Sequence, residues 1–282
     1  MTHFLRDILR QPLELQRTLD HLSGPGRNLL MEAAGAIRSS SHVYLTGIGS
    51  SWHASLAAAP LFSMGGRPVY LQDASEMLHF AKFPRGAVVI VISRTGRSIE
   101  IVRLLEKARE SGALVIGITN SPDGTLAQQA QISLVIATAL DHAISVNTYT
   151  TLAAAVCLLA NAAVGSLSDV LIASLSRSIA AADQLIPRWQ AQIAGSHWLS
   201  PGRVHYFLAR GSSLGSCNET RLLWEEGVKS PATAMATASF RHGPQEMIAE
   251  GMRFGVWLNG CLSRQRMESW IGRLGARKRS HL

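Results

Sequence analysis

Short apolar runs and helical stripes alternate along this chain. The runs at 43–47, 69–71, 88–92, 114–118 and 132–136 are rich in Val, Ile and Leu with almost no polar interruption. Unbroken runs of this length are what strands buried on both faces look like. Between most of them the apolar spacing changes to three and four, so the order reads as βαβ units and a mostly parallel sheet. Residues 1–22 carry helical spacing interrupted by Pro12, and 27–38 form a second amphipathic helix that Ser39-Ser40-Ser41 ends. Two more helices are predicted at 148–164 and 167–193. A second series opens near Ser196: strand 204–209, helix 215–227, strand 232–236, helix 244–249, strand 254–258 and helix 264–274. By analogy with the first series, further elements are expected after these. The expected fold is therefore α/β, with two tandem units of mostly parallel sheet flanked by helices and the second unit C-terminally truncated. The expected boundaries are a helical segment at 1–24, a first domain with a linker helix at 25–194, and an incomplete second domain at 195–282.

The two series share a motif. Val43-Tyr44-Leu45-Thr46-Gly47-Ile48-Gly49-Ser50-Ser51 returns 162 positions later as His205-Tyr206-Phe207-Leu208-Ala209-Arg210-Gly211-Ser212-Ser213. In each copy an apolar strand runs into glycine, two hydroxyls and a helix. Glycine lets backbone N–H groups approach a ligand, and the helix N-terminus favours an anion. A second polar loop, Ser93-Arg94-Thr95-Gly96-Arg97-Ser98, separates strand 88–92 from the next helix. Alone it reads equally as an N-cap with a solvated loop, because Ser and Thr are ordinary caps. Paired with Gly49-Ser50-Ser51 at the carboxyl edge of one sheet, it reads as a phosphate site with charge-assisted bonds from arginine.

Composition narrows the class. Hydrophobic residues make up 47% and charged residues 16% of 282 positions, which suits compact α/β domains and argues against disorder. The net charge is +8, but five of those charges come from six basic residues set against Glu268 in the last nineteen positions. Nucleic-acid binding through this basic run is a weak alternative, since no helix-turn-helix or aromatic interleaving accompanies it. Cys157, Cys217 and Cys261 form no CxxC pair and have no histidine at ligand spacing, so they read as reduced packing thiols. The longest apolar run, 152–164, is too short to span a bilayer, and no signal-peptide pattern opens the chain. A cytoplasmic protein without a metal or other cofactor is expected.

The ordered motifs resemble the sugar isomerase (SIS) domain family, in the tandem arrangement of phosphosugar isomerases and deaminases such as the isomerase half of glucosamine-6-phosphate synthase. They run from Asp7-Ile8-Leu9-Arg10-Gln11-Pro12 through Gly49-Ser50-Ser51, the 93–98 loop, Ile118-Thr119-Asn120 and Arg210-Gly211-Ser212-Ser213 to Arg241-His242-Gly243-Pro244. The resemblance implies that Ser51, Ser93, Arg94, Thr95 and Ser98 bind a sugar phosphate with Ser50 close by. It implies that Asn147 and Thr148 line the sugar, with Tyr149 standing where the family has lysine. Glu226, sixteen residues before His242, matches the glutamate that moves a proton between sugar carbons, and His242 matches the ring-opening histidine. Read without the family, Glu226 is an exposed helix carboxylate and His242 a turn residue. The resemblance further implies a homodimer with shared active sites, His242 reaching the neighbouring subunit. The implied activity is isomerisation, by aldose–ketose proton transfer, coupled to deamination or deglycation of an amino- or amine-substituted sugar phosphate. No residue matches the family's C-terminal lysine, so the alternative is a catalytically impaired sugar-phosphate-binding or regulatory protein. His53, in the turn after the first glycine motif, reads as packed or capping, and Glu76 and His79 as structural or cleft-lining.

Overall fold

A computed structural model describes residues 1–258 apart from 137, 140, 197 and 199–203. The chain divides into two units, Met1–Gln192 and Ile193–Leu282. The expected helix at 264–274, Cys261 and the basic run lie outside the described residues.

In the first unit, strands β1 (Val43–Thr46), β2 (Tyr70–Leu71), β3 (Val88–Ile92), β4 (Leu114–Thr119) and β5 (Ile132–Val135) form one parallel sheet in the order β2-β1-β3-β4-β5. Its two faces are sorted by the period of two. Val43, Leu45, Val88, Ile90, Ile92, Ile116, Ile118, Ile132 and Leu134 face one helical layer. That layer comprises α1 (His3–Ser23), α2 (Arg27–Ser39), α3 (Ser50–Met64) and α7 (Asn147–Ala163). Tyr44, Val89, Val91 and Val115 face the other, made of α4 (Ala74–Phe80), α5 (Ile99–Glu110) and α6 (Thr125–Gln129). Gly117 lies where a Cβ would stand 3.0 Å from Leu126 Cγ and 3.1 Å from Ala130 Cβ, which lets α6 seat closely. Each fully buried Val or Ile contributes about 1.5–3 kcal/mol. Covering both faces is why β1, β3 and β4 are almost wholly buried, while the edge strand β5 alternates buried and half-buried positions.

Pro12 does not interrupt α1, which is continuous through it. Proline lacks the N–H that would bond the carbonyl four residues earlier. The Gln11 side-chain amide donates to that same Ile8 carbonyl at 3.1 Å, so the Gln-Pro pair repairs its own gap. Helix α8 (Asp169–Ala194) follows α7 and rests Ile172 and Ile179 on the first core, though none of its residues is fully buried. Under it lies an aliphatic cavity of about 400 Å³ lined by Leu19, Leu61, Cys157, Leu158, Leu175, Ile179 and others. Loss of hydration pushes the Cys157 thiol up to about 12, and the Cys217 thiol up to about 11.

The second unit, described by itself, contains β6 (His205–Ala209), β7 (Ala232–Ala236) and β8 (Arg253–Val256), parallel in the order β7-β6-β8. This repeats the local order β2-β1-β3 of the first sheet. Tyr206 and Leu208 pack with Phe240 on one side of β6, and Phe207 and Ala209 pack with Cys217 on the other. Helix α9 (Ser213–Leu223) ends in a π-helical turn, Trp224–Val228. After α10 (Thr237–Arg241), the segment expected as a helix at 244–249 is only a short 3-10 turn, Pro244–Met247.

Candidate functional site

The order β2-β1-β3 reverses the direction of winding between β1 and β3, and in open parallel sheets ligands bind outside the carboxyl ends of strands at such a point. Both polar loops leave the sheet there. After β1 the chain turns through Gly47-Ile48-Gly49 into α3. A Cβ on Gly47 would lie 2.6 Å from the Ser51 carbonyl carbon and 2.8 Å from Trp52 N, so only glycine lets the helix start this close to its strand. Gly49 has φ 57, with open space around it; there the backbone conformation alone demands glycine. Ser50 and Ser51 then open α3, with Ser51 buried.

After β3 the second loop is pinned from β4. Thr119 Oγ1 donates to the Arg94 carbonyl at 3.0 Å, and Asn120 N–H donates to the same oxygen at 3.2 Å. Ser93 Oγ accepts the Gly96 N–H at 3.1 Å, which leaves its own proton for a ligand. Gly96 has φ 63, and a Cβ there would come 2.6 Å from Leu126 Cβ. Ser98 holds the N-cap position of α5 but makes no side-chain capping bond. Its hydroxyl is not engaged as an ordinary cap would be.

Between the loops is a cavity of about 270 Å³ lined by Ser50, Ser51, Ser93, Arg94, Thr95, Ser98 and Thr148, together with Ile48, Glu100, Ile101 and Ser145. The N-termini of α3 and α5, fifteen and twelve residues long, open at its rim. Helix dipoles, hydroxyls and the Arg94 guanidinium all favour an anion. Arg94 Nη1 donates to Ser145 Oγ at 3.2 Å, which fixes the guanidinium against the wall. Thr148 is 1% exposed, and its Oγ1 has no partner.

Seven of the ten predicted site residues thus meet in one cavity. Asn147 is not among its lining: it is fully buried and its Nδ2 donates to Asp141 Oδ1 at 3.0 Å. Arg97 of the same loop is exposed and pairs with Asp123 instead. Glu100 and Ser145 were not singled out from the sequence. A glutamate in a first helical turn reads as dipole compensation, and Ser145 sits in a loop with no motif of its own. His53 is buried inside α3. Asp73 caps α4, which carries Glu76 and His79.

In the second unit Glu226 lies exposed in the π-helical turn, a form of helix enriched at functional sites. Arg221 pairs with its neighbour Glu225 rather than with Glu226. His242 is exposed at the end of α10, followed by Gly243 at φ 143. Among the described residues no group of three His, Cys, Asp or Glu could hold a metal ion, and no helix is long and apolar enough to cross a membrane.

Fold and cavity define a doubly wound α/β unit with a hydroxyl-lined cavity at its switch point. Residues 36–162 match the family model of the SIS domain, so the first unit carries a SIS domain. The glutamine–fructose-6-phosphate aminotransferase [isomerizing] of Pyrobaculum aerophilum is 27% identical over 260 residues, covering 88% of this chain and 42% of that protein. The chain therefore spans about two fifths of the length of such relatives. The C-terminal domain of glucosamine-fructose-6-phosphate aminotransferase from Francisella tularensis superposes with a TM-score of 0.83 at 20% identity, covering 98% of this chain and 81% of that one. Glucosamine-6-phosphate deaminase from Thermotoga maritima does so with 0.81 at 18% identity, covering 98% and 82%. At these identities the superpositions establish the fold.

Proposed function

We propose that the first unit binds a phosphosugar, its phosphate held by Ser50, Ser51, Ser93, Arg94, Thr95 and Ser98, with Thr148 against the sugar. The observation that carries this reading is the convergence of hydroxyls, one guanidinium and two helix N-termini on one cavity at the β1/β3 switch point. We further propose that the chain is a tandem SIS protein that isomerises an amino- or amine-substituted sugar phosphate to its imine, whose C–N bond water then hydrolyses to give the sugar phosphate and the free amine. The second unit would supply Glu226 for proton transfer between adjacent carbons and His242 for ring opening. Support comes from the motifs at 210–213 and 241–244, from the repeated strand order, and from relatives named as an isomerizing aminotransferase and a deaminase. The protein would act as a homodimer with shared sites in the cytoplasm, without a cofactor.

The test is incubation with glucosamine 6-phosphate and with fructosamine 6-phosphate, following ammonia release together with ketose phosphate formation from the first and aldose phosphate formation from the second. Turnover that Glu226→Gln abolishes supports the reading; turnover equal in wild type and Glu226→Gln removes Glu226 from it. Mixing Glu226→Gln with His242→Ala chains should restore part of the activity if sites are shared. A second reading, sugar-phosphate binding without chemistry, is favoured by the family model covering only the unit that holds the phosphate cavity. Calorimetric binding of both sugars with no turnover would select it.

A further inference from the structure

Helix α1 contributes no side chain to the cavity, yet it carries two buried carboxylates, Asp7 and Glu14. Both act on one distant segment. Glu14 Oε2 accepts the Ala139 N–H at 3.2 Å, and Asp7 Oδ2 accepts the His142 N–H at 3.1 Å. A third buried carboxylate, Asp141, belongs to that segment: Oδ1 accepts Asn147 N–H at 2.9 Å and Asn147 Nδ2 at 3.0 Å, and Oδ2 accepts Thr148 N–H at 2.9 Å. Five N–H groups between Ala139 and Thr148 are thus taken up by three carboxylates. The His3 and His142 rings stack at 3.8 Å above the same junction.

Burying a carboxylate costs several kcal/mol unless hydrogen bonds compensate, and aliphatic packing would tether a loop without that cost. Glu14 is further oriented by Arg10 at 2.9 Å and Arg17 at 3.2 Å. The segment so held delivers Ser145 and Thr148 to the cavity wall, and Ser145 in turn holds Arg94. Thr148 Oγ1 arrives buried and unpartnered, a state that itself costs about 1–3 kcal/mol until a ligand hydroxyl or phosphate oxygen meets it. Asp141 also occupies the first N–H groups of α7, so that helix N-terminus faces a carboxylate and not the ligand.

We propose that Asp7, Glu14 and Asp141 are positioning residues of the anion site. They clamp Ala139 and the 141–148 segment in the ligand-ready form, which makes α1 part of the binding machinery although it touches no ligand. The ligand side of this statement rests on the phosphosugar reading above; the clamp itself does not.

The experiment compares wild type, Asp7→Ala and Asp7→Asn in the full chain, by amide hydrogen exchange and by calorimetric titration with glucosamine 6-phosphate. Alanine is the best helix former, so α1 keeps its propensity while the acceptor is lost. Asparagine retains an acceptor oxygen without the charge. Asp7→Ala should speed exchange in 141–148 about tenfold and weaken binding about tenfold, with β3 amides unchanged, and Asp7→Asn should restore most of both. Unchanged exchange in 141–148 would overturn the clamp whatever the binding result. Loss of protection in β3 as well would overturn it too, making Asp7 a residue of the core. Absence of wild-type binding, with the expected exchange pattern intact, would instead refute the phosphosugar reading and leave the clamp standing.

Discussion

Two arginines stand three residues apart in one loop, and the structure assigns them opposite fates. Arg94 lines the anion cavity and is braced by Ser145 Oγ at 3.2 Å, whereas Arg97 lies outside the lining and is neutralised by Asp123. A guanidinium about 4 Å from a phosphate oxygen interacts with about 4 kcal/mol at an effective dielectric of about 20. Arg94 is only half buried, so solvent reduces this toward the range of about 1.5–3 kcal/mol measured for hydrogen bonds to charged groups. Taking about 2 kcal/mol, Arg94→Ala should raise the Kd for a sugar phosphate about thirtyfold. Arg94→Lys keeps the charge but not the planar fork that reaches both Ser145 and the anion, so it should fall between. Arg97→Ala should change the Kd less than about twofold, since its charge is already paired and exposed charges are screened beyond about 8–10 Å at physiological salt. The assay is isothermal titration with glucosamine 6-phosphate at low and physiological salt. A wild type that binds, with Arg94→Ala within twofold of it or Arg97→Ala the more damaging, would refute the assignment.

Gly47→Ala and Gly49→Ala should separate clash from strain. The first forces backbone apart at 2.6 Å and should lower the urea midpoint and abolish binding, while the second meets open space and should cost only the backbone strain of φ 57, ψ −126, about 1–3 kcal/mol; equal midpoints would contradict this. Glu100→Gln removes a like charge from the cavity and should tighten inorganic phosphate about two- to fivefold in the same titration, with weaker binding as the contrary result. Cys157 is held above its free value of 9.0, at about 12, because the folded state keeps the neutral thiol out of water. A raised folded value binds the proton more tightly in the native state, so this contribution is complete below pH 9 and is lost as pH rises toward 12. Urea midpoints at pH 8 and pH 10.5 should therefore converge more in Cys157→Ala than in wild type, and iodoacetamide at pH 7.5 should label the fully buried Cys217 only after unfolding.

Elements buried on two faces were legible in the sequence, and short ones were not. Strands β1, β3 and β4 announce themselves because both faces are covered by helices, leaving polar residues only at the ends of β1 and β4, whereas the edge strand β5 is legible from the alternation of buried Ile132 and Leu134 with half-buried Ser133 and Val135. The short helices α4, α6 and α10 have five to seven residues, too few for a 3.6-residue stripe to repeat. Pro12 pointed to a break because the repair, Gln11 bonding Ile8 O, is a side-chain contact and leaves no trace in hydrophobic pattern. In the site, the hydroxyl and glycine loops could be read because their backbone requirement is local. Arg97 could not be told from Arg94, since its partner Asp123 is 26 residues away. Asn147 resembled a lining residue because nothing in the local pattern reveals that Asp141, six residues upstream, claims its amide.

The two copies of the Gly-Ser-Ser motif place one backbone device in two different surroundings among the described residues. Gly49 and Gly211 share a positive φ, 57 and 56, so both positions favour glycine. The strand before it differs by a single atom's consequence. Ala209 stands at the repeat position of Gly47, where in the first copy a Cβ would meet the start of α3 at 2.6 Å. Accordingly α9 begins at Ser213, one position later in the repeat than α3 at Ser50. The neighbouring strand differs more. Thr46 pairs with Val91 and Leu208 pairs with Val256, so Trp257 and Leu258 occupy the places of Ile92 and Ser93. Where the first unit offers a hydroxyl followed by a guanidinium, the described end of the second offers an aliphatic side chain, which gives an anion neither donor nor charge. A glycine turn at a helix start is therefore a permissive element, and selection of a phosphate depends on the loop that the adjacent strand brings to it.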